Sequence, residues 1–204
     1  MSPEDPAQSP FTRQQAWQLL TQWTQSESLR KHALAVEICL SACGRAEADR
    51  LALSGPDRDA FLELYAATGL LHDFDYERHP TPEEHPFVGV RELERLGWPE
   101  PLRTAILGHA QYSGVPRETH LAKALFACDE LAGFLTACAL VKPGKSLAEV
   151  ELPSVRKKMK DKAFARGVNR EDVIQGAAEL GVDLDTHIDF CLQAMKKRAG
   201  ELGL

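Results

Sequence analysis

The sequence predicts an all-α protein, and three observations carry that expectation. Apolar residues recur at three- and four-residue spacing in segment after segment, as on one face of a helix. No stretch sustains the alternation of β-branched residues that marks a half-buried strand. Glycine and proline fall between the periodic segments, as at Gly44, Gly97 and Pro143-Gly144. The chain has 204 residues, enough for one domain with a real hydrophobic core and no disulfide support. The expected organisation is a helical core with an N-terminal leader over 1–145, and a C-terminal helical extension over 146–204 packed on it.

Residues 1–11 are polar and proline-rich and are expected to be a disordered leader. Thr12 can cap a helix running to about Gln25, with Trp17, Leu20 and Trp23 three apart on one side. Ser26 or Ser28 can cap the next helix, which carries Leu29, His32, Val36, Cys39, Leu40 and Cys43 and is stopped by Gly44. Asp57 to Asp73 is helical, with Phe61, Leu64, Tyr65, Thr68 and Leu71 on one face. A charged, proline-punctuated loop over 74–82 follows. Glu83 to Leu96 then carries the stripe Phe87, Val90, Leu93, and Pro99 to Gln111 carries Leu102, Ile106 and His109. Gly114 and Pro116 turn the chain into a long helix, Thr119 to Val141. Three more helical patterns cover roughly 153–166, 169–180 and 184–200.

A net charge of −6 is wrong for a nucleic-acid coat, so steering of anions must come from local patches or metal ions. The five cysteines form no CxxC pair and read as reduced and mostly buried. Cys39 and Cys43, four apart, fit a core face beside Val36 and Leu40 better than a metal pair. The start, MSPEDPAQSP, has no apolar segment, and the most apolar stretch, Leu121 to Val141, is broken by Lys123, Asp129 and Glu130. A cytoplasmic protein without a membrane span is expected.

The stretch that carries chemistry is Leu70 to Pro86, LLHDFDYERHPTPEEHP. Adjacent His72 and Asp73 end an apolar helix, where both need partners if buried. His32 shares an inner face with Leu29 and Val36, and His109 follows Ile106 on another. Asp129 sits inside LFACDELAGFL, and the nearest basic residue in sequence, Lys123, is six positions away. An unpaired carboxylate there would cost several kcal/mol, and a metal ion would satisfy it. Imidazole and carboxylate donors suit Zn, Fe, Mn, Co or Ni.

His32, His72-Asp73 and Asp129, spaced by 40 and 56 residues, resemble the H…HD…D signature of the HD-domain superfamily of metal-dependent phosphohydrolases. The resemblance covers residues 28–141, and His85 in EEHPFVG and His109 in ILGHA fall where the two-metal branch has extra histidines. It implies an HD-domain helical bundle holding two divalent transition metals. His32, His72, Asp73 and Asp129 would bind one ion, and Asp73, His85 and His109 the second, with Asp73 bridging and therefore central to catalysis. Such a pair of ions suits phosphoester hydrolysis. His79 competes with His85 as a ligand, whereas His120 and His187 read as surface or cap histidines. One subgroup, the cyclic-dinucleotide phosphodiesterases, often reads HD-x-x-K, and Tyr76 stands here at the lysine position.

Asp75 could serve as general acid for a leaving group, or cap or ion-pair locally. Arg78 or Arg91 could bind phosphate. Residues 156–170, RKKMKDKAFARGVNR, hold seven basic residues against one acidic. Lys158, Lys162 and Arg166 would form an i, i+4 row toward a substrate, or a solvated face. Aromatics are too sparse there for a nucleic-acid surface.

The expected activity is hydrolysis of a phosphoester or phosphoanhydride in a nucleotide-type small molecule. Two other readings stay open: an HD-type mixed-valent di-iron oxygenase, and a non-catalytic nucleotide-binding module. A homodimer is the default expectation for the assembly.

Overall fold

Thr12 starts the first helix by a reciprocal cap. Its hydroxyl accepts the Gln15 N–H at 3.3 Å, and Gln15 Oε1 accepts the Thr12 N–H at 2.8 Å. The computed structural model describes residues 11–204, and no strand occurs among them. The α-helices, in order, are α1 (Arg13–Trp23), α2 (Glu27–Arg50), α3 (Gly55–Leu71), α4 (Phe87–Arg95), α5 (Glu100–His109), α6 (His120–Leu140), α7 (Leu152–Met159), α8 (Arg170–Leu180), α9 (Leu184–Lys197) and α10 (Ala199–Leu202). None of the described helices is long and apolar enough to cross a membrane.

Helices α2 and α6 form the centre. α6 buries Leu121, Leu125, Cys128, Leu131 and Leu135, and α2 buries Val36, Ile38, Cys39 and Leu40. Each such leucine contributes about 1.5–3 kcal/mol on burial. α1 packs on α3, α3 on α2, and α5 and α8 on α6. At Gly176 of α8 a Cβ would lie 2.6 Å from Ala127 Cα, so this close approach to α6 requires glycine. α9 lies against both α2 and α6. Glu37 of α2, 1% exposed, is held by Arg13 at 3.0 Å and Arg198 at 3.1 Å, which ties α1 and the segment before α10 to the core.

Several expectations change. Residues 1–10 lie outside the described residues, but Phe11, assigned to the leader, stacks on Trp98 at 5.0 Å. Gly44 does not stop α2, which runs on to Arg50. A Cβ at Gly44 would sit 2.7 Å from Tyr65 Cγ, so that glycine makes room for the Tyr65 ring. The basic segment is not one helix: α7 ends at Met159, and turns follow to Asn169. Those turns are held from below by Arg170, whose Nη1 donates to Ala165 O and Val168 O at 2.7 Å and whose Nη2 donates to Phe164 O.

Candidate metal centre

The end of α3 delivers the first candidate ligands. His72 is its C-cap, 0% exposed, and Asp73 follows in the turn. His32 comes from α2, Asp129 from α6 and His109 from the last turn of α5; His85 comes from the turn before α4. Residues far apart in sequence thus converge on Asp73. His32 Nε2 lies 3.0 Å from Asp129 Oδ1 and 3.3 Å from His72 Nε2. His72 Nε2 is 3.4 Å from both Asp129 Oδ1 and Asp73 Oδ2. The other oxygen of Asp73, Oδ1, is 3.3 Å from His85 Nε2 and 3.3 Å from His109 Nε2.

Three rings have their tautomer fixed by what Nδ1 touches. His72 Nδ1–H donates to Gly69 O at 2.8 Å, and His109 Nδ1–H donates to Ile106 O, each to its own helix three residues back. His85 Nδ1 meets Asp75 Oδ1 at 2.7 Å. With Nδ1 protonated in each case, the Nε2 lone pairs converge around Asp73. Inward lone pairs facing carboxylate oxygens are a donor set without donors, which is what a cation requires. Ions with ~2.0–2.2 Å bonds to nitrogen and oxygen hold adjacent ligands about as far apart as these atoms lie. His32, His72 and Asp129 form one group that could hold a metal ion, and Asp73, His85 and His109 form another.

The close imidazole–carboxylate contacts also shift the proton affinities of both partners. Burial opposes charge on His72, but Asp73 and Asp129 outweigh it and raise its pKa well above the ordinary value. His85 is likewise opposed by burial, yet its bonds to Asp73 and Asp75 carry it up to about 9. Burial alone would raise Asp73 and Asp129; the neighbouring His72 charge and the imidazole bonds hold both well below the usual carboxylate range.

Asp75 is not placed as a general acid. It is 1% exposed, and its second oxygen accepts the Gly89 N–H at 2.7 Å. A Cβ at Gly89 would lie 2.8 Å from Asp75 Cγ, so the glycine admits the carboxylate. Asp75 therefore positions His85 and does not reach the cavity. Arg78 is also elsewhere: its guanidinium lies 4.8 Å from the Trp23 ring centroid and donates to Gln22 O. Lys158 lies over the Phe164 ring at 4.4 Å, and Lys162 and Arg166 are exposed on the turns. With α7 ended at Met159, the three share no helical row, and none lines the cavity. His79 bonds Glu84 at 3.2 Å and stays outside.

The candidate ligands His32, Asp73, His85, His109 and Asp129 open on a cavity of about 720 Å³, large enough for a small-molecule substrate. Its other walls include Tyr76, Gln111, Tyr112, Glu130, Asn169 and Asp172. Burial, then Asp129, raises Glu130 to about 7. The sequence reading met Glu130 only as a charge breaking the apolar stretch of α6, and Asp172 only as a cap partner of Asn169. His187, read as a surface or cap histidine, is 3% exposed and donates from Nε2 to Ala127 O at 3.0 Å. With Cys128 and Cys191 it forms a third group able to hold a metal ion, wholly within the core.

Fold and centre together define an all-α protein with a His/Asp constellation at the floor of an open cavity. No family model, curated protein or solved structure matches the chain.

Proposed function

We propose that this chain is a metal-dependent phosphohydrolase of the HD-domain type, with Asp73 shared between two divalent transition-metal ions, acting on a small, nucleotide-type phosphoester. The observation that carries the reading is the division of Asp73: Oδ2 faces His72, and Oδ1 faces His85 and His109. His32, His72, Asp73 and Asp129 would hold one ion, and Asp73, His85 and His109 the other. When bound, the ions supply Lewis acidity toward a phosphoryl oxygen and an attacking water. The chain's own part is to present inward lone pairs, to lock His85 through Asp75 and to wall the cavity. No serine, cysteine or lysine lines that cavity among the described residues, which fits attack by a water at the metal centre.

A dioxygen-using reaction at the same ligands is the second reading. It is favoured by the lack of any lysine or arginine on the cavity wall among the described residues, which suits a less anionic substrate. Elemental analysis of the purified protein, paired with phosphate release under air and under argon, separates the two. About two ions per chain and release that persists with manganese under argon support the hydrolase. Iron dependence with no phosphate release and a strict need for oxygen would replace it.

A further inference from the structure

The wall of the cavity carries information about the substrate that the ligands do not. Phosphate sites usually recruit arginine or lysine, because each oxygen needs a countercharge or a strong donor. Here the side chains around the metal-ligating floor are Tyr76, Gln111, Tyr112, Phe126, Glu130, Asn169 and Asp172. Two of these are carboxylates and none is a cation. The basic segment does not correct this. Its turns reach the cavity through Gly167, Val168 and Asn169, while Lys158 is turned onto Phe164. Arg117, the nearest arginine in sequence to the Gln111 rim, is engaged by both oxygens of Glu179 at 2.6 and 2.7 Å.

The carboxylates are held in place but not used up. Glu130 Oε2 accepts the Asn169 N–H at 3.2 Å, and Glu130 Oε1 has no protein donor among the described residues. Asp172 Oδ1 accepts from Gln111 Nε2. A carboxylate has about four acceptor sites, so each can take further bonds from hydroxyl or amino donors. Tyr76 and Tyr112 are 41% and 54% exposed, leaving ring faces available to the apolar part of a ligand.

Resting on the proposed function, we infer that the substrate carries a single phosphoryl group, held by the metal centre alone, on a leaving group that bears hydroxyl or amino donors for Glu130 and Asp172. Each further phosphate would lie against this acidic wall with no cation to meet it. Di- and triphosphates are therefore selected against, although a metal pair by itself would accept them.

The test uses metal-loaded full-length protein and commercial probes: AMP, ADP and ATP, ribose 5-phosphate, and p-nitrophenyl phosphate, which lacks a donor on its leaving group. Expected are a kcat/KM for the monophosphates at least about tenfold above that for ADP and ATP, and a preference for AMP or ribose 5-phosphate over p-nitrophenyl phosphate. Glu130→Gln and Asp172→Asn should each lower that second ratio, by about tenfold for a lost charged hydrogen bond. Asp172→Lys should raise the rate on ADP relative to AMP. Equal or better turnover of ADP and ATP, or ratios unmoved by folded variants that retain their metal, would overturn the inference and leave the hydrolase standing. No phosphate from any probe, with metal bound, overturns the hydrolase reading and this inference with it.

Discussion

Two groups of inward-facing carboxylates in this protein, one buried and one half-buried, are solved in opposite ways. Glu37 is closed off by two arginines, each reaching it with two nitrogens at 3.0 to 3.2 Å. Its charge is met by two guanidiniums, one of them shared with Glu201, and its lone pairs are filled by donors, so nothing more is needed there. Among the described residues Asp73 and Asp129 meet no lysine or arginine; their neighbours are His32, His72, His85 and His109. Three of those rings turn Nδ1 away to fixed acceptors. The arginine-paired carboxylate is a structural tie, and the imidazole-paired carboxylates form groups that could hold a cation. Burying an ion is tolerable only when it is paired, and the choice of partner shows whether the pair is complete.

Exchanging the expected losses tests this contrast most strongly. If Asp73 is shared between two ions as proposed, Asp73→Ala removes an oxygen from both, and it should abolish metal retention and lower turnover by about a thousandfold or more. Its fold should survive, as read by circular dichroism. Glu37→Ala should do the reverse: bound metal stays at the wild-type level, while stability falls by about 3 kcal/mol. That is the low end for a broken buried pair, because both arginines are partly exposed and recover water. Denaturant melts with metal analysis on the same samples give both readouts. If Asp73→Ala retains its metal, or Glu37→Ala loses it, the two kinds of carboxylate are not distinct.

A smaller effect is expected where the centre itself contains a carboxylate that is not a ligand. Asp75 holds His85 by one oxygen and the Gly89 N–H by the other. Asp75→Asn keeps the shape but removes the charge behind the imidazole. Metal affinity should drop by about 10–100-fold, the usual effect of such a partner, with the other ligand group less affected. Competition with a chelating dye measures it. A variant as tight as wild type would show that the bond orients nothing that matters.

What the sequence made legible follows from distance along the chain. Helical periodicity set His32 beside Leu29 and Val36, and an apolar run around Asp129 left it without a local cation; both are short-range patterns. The structure brings those residues to His72 and Asp73. Asp75 was open to two readings because its partners, His85 and Gly89, are reached only when the loop folds back. His187 looked exposed because its partner is a main-chain carbonyl on another helix, Ala127 O, which no side-chain pattern announces. Gly44 read as a stop for the same reason: the Tyr65 ring it accommodates belongs to α3. The basic segment failed as a helix because Arg170 spends its guanidinium on the carbonyls of residues 164, 165 and 168.

The finest distinction between the two carboxylate groups is their response to pH in the metal-free protein. The arginines around Glu37, Arg13 and Arg198, are raised above their ordinary value by their carboxylate partners and keep their charge as the pH rises from about 7 to about 9.5. His85, carried to about 9 by Asp73 and Asp75 against the pull of burial, gives up its proton within that interval. Its folded pKa lies above the ordinary histidine value near 6.5, so the folded state binds more protons than the unfolded one between the two. The stabilisation it supplies is complete below about pH 6.5 and is lost as the pH rises through about 9. Chelator-treated protein should therefore show a falling Tm over that range. Metal-loaded protein should not, because an ion at His85 replaces the proton, and loading at about pH 8 should release protons into a weakly buffered indicator solution. Parallel Tm profiles with and without metal, and no proton release on loading, would mean that the imidazoles around Asp73 are ordinary core histidines.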